Sequence, residues 1–147
     1  MGRVVGIDFG TVRFGIAISD ETKMLARVLT TLIAEKKSEA TIAKLLKELE
    51  PYTIDEIIIG YPLHMNGKLG FLADEVNHFV ALLKTRVTIP ITIWDERLTT
   101  VQAERSLREA SLSRKKRSKI IDSITAVILL QSYLDHLSFK KGNSHVW

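Results

Sequence analysis

The chain has 147 residues, 46% of them apolar, with 21 Lys and Arg against 17 Asp and Glu, a formal net charge of +4 and no Cys. That is one domain's worth of chain with enough apolar side chains for its own core, and the missing Cys excludes a disulfide framework, a thiolate metal site and a thiol nucleophile. No apolar run approaches the roughly 20 residues of a spanning helix and no basic-then-apolar leader precedes the first strand, so a soluble, cytoplasmic protein is expected.

Two β-prone runs, Val4 to Ile7 and Phe14 to Ser19, flank Asp8-Phe9-Gly10-Thr11, which predicts an opening hairpin with an acid at its mouth. Asp is depleted inside strands, and the ordinary role of an Asp-x-Gly sequence is to cap a turn. Leu25 to Ile33, with Val28, Thr30, Thr31 and Ile33, reads as a third strand completing an antiparallel meander. Ser38 to Leu49 places Ile42, Leu45, Leu46 and Leu49 at helical spacing and ends before Pro51. Ile54 to Tyr61 contains Ile57-Ile58-Ile59, a continuous apolar run that predicts a central strand covered on both faces.

Gly60 to Gly67 is loop-like, Phe71 to Leu83 returns to helical spacing, and Ile89 to Trp94 predicts a fifth strand leading into Asp95-Glu96-Arg97. Thr99 with Gln102 forms a candidate capping box for a helix to about Glu109. Ser111 to Lys119 reads as a polar, strongly basic connection, Ile120 to Leu137 as a helix apolar nearly all round and therefore buried, and Lys140 to Trp147 as a frayed tail. The expected organisation is one domain over residues 1–138 and a polar tail over 139–147. The expected fold is α/β, a five-stranded mixed sheet with helices on both faces, whose parallel strands end where Asp8, the Gly60 loop and Asp95-Glu96 stand.

Charge is unevenly spread. Residues 97–141 carry ten Lys or Arg against four acids, while the rest of the chain carries eleven against thirteen. A basic half favours a polyanionic partner. The acids Asp8, Asp95-Glu96 and Asp122 each have a bland reading, as turn cap, solvated strand end and first-turn dipole partner. Their joint placement at one end of the sheet is what points to a site. Clustered carboxylates repel unless neutralised, and Mg²⁺ or Mn²⁺ is the fitting neutraliser for all-oxygen ligands. Two such ions about 4 Å apart can clamp a phosphodiester. Arg114-Lys115-Lys116-Arg117-Ser118-Lys119 would then hold flanking phosphates, a role compatible with its plain reading as an exposed charged segment.

Residues 5–20 (Val-Gly-Ile-Asp-Phe-Gly-Thr-Val-Arg-Phe-Gly-Ile-Ala-Ile-Ser-Asp), Gly60-Tyr61-Pro62-Leu63 with Asn66-Gly67, Asp95 to Thr100 and the Asp122 helix together resemble the YqgF family, also called RuvX. The resemblance spans nearly the whole chain. It implies an RNase H-like fold and a cytoplasmic nuclease assigned to 5′-end maturation of pre-16S rRNA, with an older assignment as Holliday junction resolvase. By the same likeness Asp8, Glu96 and Asp122 are the catalytic, metal-binding acids, and Arg13 and Arg97 lie close to them. Two departures stand out: His64 where the family's loop usually carries Asn, and Gly60-Tyr61 where related resolvases often carry a further acid. His64 is expected to be a loop residue, since no second His stands at ligand spacing.

The main expectation is therefore a Mg²⁺-dependent endonuclease of structured RNA, gripping its substrate through Arg13, Arg97 and residues 114–119, as a monomer or weak dimer. A DNA-junction resolvase is the runner-up, and a non-catalytic RNA-binding module the third reading. The opening hairpin also resembles the first phosphate loop of the sugar-kinase and actin-like ATPases, but those need a second domain with its own phosphate loop, for which 147 residues leave no room.

Overall fold

The computed structural model describes residues 2–10, 12–61, 69–95 and 114–146. Strands β1 (Arg3–Asp8), β2 (Arg13–Ser19) and β3 (Ala26–Ile33) form the expected meander. Helix α1 (Ser38–Leu49), strand β4 (Ile54–Tyr61), helix α2 (Leu69–Arg86), strand β5 (Ile91–Asp95) and helix α3 (Arg114–Val146) follow. The sheet order is β3-β2-β1-β4-β5, with β1 antiparallel to β2 and parallel to β4, and β4 parallel to β5.

Side chains alternate across a strand, so β1 sends Val5 and Ile7 to one face and Val4, Gly6 and Asp8 to the other. Continuing the alternation, Phe9 joins Val5 and Ile7 in a core with Phe14, Ile16 and Ile18 of β2, Ile57 and Ile59 of β4, and the apolar stripes of α1 and α2. The opposite face packs Val4, Ala17 and Ile58 against Ala126, Leu129, Leu130 and Leu134 of α3. Helices therefore cover both faces, and Ile57, Ile58 and Ile59 of β4, which alternate between the two cores, form its unbroken apolar run.

Gly6 lies directly beneath α3: a Cβ built there would stand 2.8 Å from Leu130 Cβ. Neither atom is the free end of a flexible chain, so a larger residue must push the helix outward. Gly6→Ala is expected to destabilise the fold by about 1–3 kcal/mol, read as a lower urea midpoint at unchanged slope.

Three features of α3 differ from the sequence reading. Residues 114–119, expected as a connection, form its opening turns, and the helix runs on to Val146 through the stretch expected to fray. Arg and Lys are strong helix formers, no Gly or Pro interrupts residues 114–141, and a helix nucleated by a buried stripe propagates cheaply. The all-round apolar stretch is also buried on one side only. Ala126, Leu129, Leu130 and Leu134 are buried, while Ile124, Val127 and Ile128 are half-buried, because this helix rests on a single sheet face. The candidate helix from Thr99 to Glu109 lies outside the described residues.

The turn from β2 to β3 is built on Asp20. Its Oδ1 accepts the backbone N–H groups of Met24 (2.8 Å) and Leu25 (3.2 Å), and its Oδ2 accepts the Thr22 hydroxyl (2.6 Å). These donors hold the Asp20 carboxyl below its ordinary pKa. Lys23 adopts φ 60°, a left-handed conformation unusual for Lys, and its Nζ reaches Asp55 Oδ2 at 2.8 Å. Beside this turn, Thr22, Lys23, Met24, Leu137, Ser138 and Lys140 line a cleft of about 350 Å³, at the far end of the sheet from Asp8.

Candidate active site at the strand ends

Asp8 is the last residue of β1 and only 2% exposed. The hairpin that follows is pinned from the other face, where the Phe9 ring meets Phe14 (centroids 4.5 Å) and Phe79 of α2 (5.5 Å). Gly10 is required by closeness of backbone, since a Cβ there would run into the Arg13 carbonyl oxygen.

Register defines the surroundings of Asp8. It pairs with Gly15 of β2 on one side and Gly60 of β4 on the other; Gly15 pairs in turn with Thr31, and Gly60 with Trp94. On the face that carries α3, one row across the sheet thus reads Thr31, Gly15, Asp8, Gly60, Trp94. Both positions that flank Asp8 in this row are glycines. With strands about 4.8 Å apart, Asp8 and Trp94 stand about 10 Å from one another. Tyr61 of β4 pairs with Asp95, the last residue of β5, so the carboxyl ends of β1, β4 and β5 do converge as expected.

Helix α3 runs opposite to β1. Leu130 is over Gly6, Tyr133 bonds Glu56, which pairs with Val4, and the Gln131 side chain ties to the β3 start by accepting from Ala26 N–H (2.9 Å) and donating to the Met24 carbonyl (2.8 Å). Residues earlier than Leu130 therefore lie toward Asp8. Asp122 is eight residues before Leu130, about 12 Å along the helix, whereas Asp8 is about 7 Å along β1 from Gly6. By its backbone position Asp122 shares the stripe of Ala126, Leu129, Leu130 and Tyr133, the side that meets the sheet. The helix thus carries it to the same end as Asp8.

Arg13, at the start of β2, is half-buried and pairs with Ile33. Arg114, Lys115, Lys116, Arg117 and Lys119 occupy the first two turns of α3, at the Asp8 end of the molecule. Their side chains, that of Asp122, and Glu96, Arg97 and His64 altogether, lie outside the described residues. Among the described residues no group of three His, Cys, Asp or Glu is gathered that could hold a metal. What Asp8 itself offers fits a hard cation: a buried carboxylate, oxygen donors only, with glycine on both sides of it in the row.

The sequence reading missed one cluster. On the α3 face, Glu56 Oε2 accepts both the Thr92 hydroxyl and the Tyr133 hydroxyl, each at 2.7 Å. The Tyr133 ring stands edge-on to Trp94 (5.1 Å, 80°), and His136 packs against the same indole at 5.1 Å. The Trp94 indole N–H is buried and has no hydrogen-bond partner among the described residues. The available signal was a Tyr and a His three apart, just after the apolar run from Ala126 to Leu130.

Burial first, then the hydrogen bond to Glu56 and its negative charge, push the Tyr133 phenol up to about 12 from 10.0. Below pH 10 the proton is held in folded and unfolded chains alike. Between 10 and about 12 only the folded chain keeps it, so stability falls as pH rises through that window. Tyr133→Phe is expected to remove this alkaline slope in urea unfolding midpoints.

Among the described residues no helix is long and apolar enough to cross a membrane. A protein of Protochlamydia amoebophila named "Putative pre-16S rRNA nuclease" is 58% identical over 139 residues, covering 90% of this chain and 93% of that one. A Bacillus subtilis protein of the same name is 41% identical over 137 residues, covering 92% and 99%. Among solved structures, Thermus thermophilus RuvC in complex with Holliday junction substrate aligns with TM-score 0.58 at 13% identity, over 88% of this chain and 91% of that one. This likeness is one of fold, which is RNase H-like. The family model described as "RuvX: Holliday junction resolvase" matches residues 2–136, and the chain belongs to that family.

Proposed function

We propose that the protein is a divalent-metal-dependent endonuclease that processes the 5′ end of pre-16S rRNA in the cytoplasm. The observation that carries the reading is the buried Asp8, set between two glycines where β1, β4 and β5 end and toward which α3 brings Asp122. The names of the relatives supply the substrate. In this reading Asp8, Glu96 and Asp122 hold Mg²⁺ or Mn²⁺. The bound cation supplies the positive charge that favours an ionised water nucleophile and offsets charge on the phosphate. Arg13, Arg97 and the cations of residues 114–119 neutralise flanking phosphates and fix the register of the strand to be cut.

A second reading, cleavage of a DNA four-way junction, draws on the family's description and on a fold shared with RuvC. Incubating the protein with a precursor 16S transcript and with a four-way junction, in Mg²⁺ and in chelator, tests both. Metal-dependent cutting of the transcript alone supports the first reading and cutting of the junction alone the second. Binding of RNA that is indifferent to Mg²⁺, with no cutting, leaves a binding module and overturns both.

Lys115→Ala combined with Lys116→Ala is expected to weaken RNA binding across sequences. Removing two phosphate contacts should flatten the dependence of log K on log salt by about 1.4–1.8, which a filter-binding series at several salt concentrations would measure.

A further inference from the structure

Helix α3 meets β1 and β2 largely through apolar side chains and is tied to the start of β3 by the two hydrogen bonds of Gln131. On the side of β4 and β5 its attachment is of another kind. One oxygen of Glu56, on β4, accepts both from Thr92, on β5, and from Tyr133, on α3, at 2.7 Å each. A single carboxylate oxygen thus joins three elements. Above it, Trp94 stands edge-on to the Tyr133 ring at 5.1 Å, in the cross-sheet row of Asp8 and one residue before the end of β5.

Glu56 is half-buried, and apolar residues could fill this space without a carboxylate, a kind of replacement that is often neutral or stabilising. What two short, charge-assisted hydrogen bonds add is direction: they allow one rotation and one height of the helix relative to β4 and β5. Two of the three elements so joined, α3 and β5, lead to candidate acids. Asp122 lies eleven residues before Tyr133 on α3, and Glu96 directly follows β5.

We infer that Glu56, Thr92 and Tyr133, with Trp94 packed on them, are positioning residues that hold the Asp122 helix in register with the strand end leading to Glu96 and so set the geometry of the divalent-cation site. The inference rests on the nuclease reading above. Tyr133 is about 16 Å from Asp122 along the helix, so a tilt of roughly 4° about the cluster moves Asp122 by about 1 Å. A misplacement of about 1 Å can cost a catalytic site about a hundredfold in rate. None of the cluster residues touches substrate in this account.

The test uses the full chain and the variants Tyr133→Phe and Thr92→Val, each of which removes one hydroxyl and keeps most of the packing. Mn²⁺ alone is titrated by calorimetry without nucleic acid, and kcat and KM are measured separately on whichever nucleic acid the wild type cuts. Expected are a three- to tenfold loss of Mn²⁺ affinity and a tenfold or greater fall in kcat, with KM within twofold. Glu56→Gln, which keeps an acceptor oxygen, should retain more activity than Glu56→Ala. Leu83→Ala, fully buried on the opposite face, controls for general loss of stability.

Unchanged Mn²⁺ affinity and kcat in Tyr133→Phe and Thr92→Val overturn the inference while the nuclease reading stands. So does a loss no larger than that of Leu83→Ala at a temperature where all variants are folded. A wild type that neither binds Mn²⁺ nor cuts RNA or junction removes the nuclease reading and this inference with it.

Discussion

Asp8→Asn is expected to lower turnover roughly a thousandfold or more while leaving the fold intact. The amide keeps the shape of the carboxylate in a site only 2% exposed, so packing is preserved. What is lost is the negative charge that, in the proposed function, holds a divalent cation at the meeting point of three strand ends. The electrostatic help such a cation gives is several kcal/mol, and each 1.36 kcal/mol is a factor of ten in rate. Circular dichroism and thermal unfolding should match the wild type, and single-turnover cleavage in Mg²⁺ should show the loss. A variant that cuts within tenfold of wild type would remove Asp8 from the proposed chemistry. Extra Mg²⁺ should not restore the rate, because Asn is a far weaker ligand for a hard cation than a carboxylate.

Phe79→Ala is expected to have the largest effect on stability. Phe79 is 1% exposed and stands T-shaped to both Phe9 (5.5 Å) and Phe14 (5.2 Å), so the substitution opens a cavity under the opening hairpin. Truncating a buried Phe costs about 3–5 kcal/mol, a large part of the stability of a domain this size. Phe79→Leu, which fills most of the volume, should cost less than half as much. Urea unfolding gives both numbers. Because Phe9 directly follows Asp8, the cavity should also loosen the hairpin, and activity should fall by more than the folded fraction alone predicts.

Most of the framework was legible because it is written in short-range pattern. The Ile57-Ile58-Ile59 run marked a strand covered on both faces, and β4 does alternate between the two cores. The stripe of Ile42, Leu45 and Leu49 marked α1 with the bounds observed. The convergence of Asp8, Gly60 and Asp95 followed from parallel strands having one common carboxyl end. The start and end of α3 were misread for a related reason. Cations and polar residues mark a loop only in the absence of a neighbouring buried stripe, and the helix nucleated by Ala126, Leu129 and Leu130 extends through both flanks.

By itself the sequence determined most of the strands and helices and that Asp8 ends β1 at the carboxyl end it shares with β4 and β5, since periodicity, turn residues and strand direction are local properties. Only the tertiary structure decided that Asp8 has a glycine on each side in its row, that Leu130 rests on Gly6, and that Glu56, Thr92 and Tyr133 share one carboxylate oxygen. Those facts depend on register between strands and on the height of a helix over a sheet. They join residues 36 and 77 positions apart in the case of Glu56. Such pairings are selected by the packing of the whole core, in which each contact is weak and only their sum chooses one register.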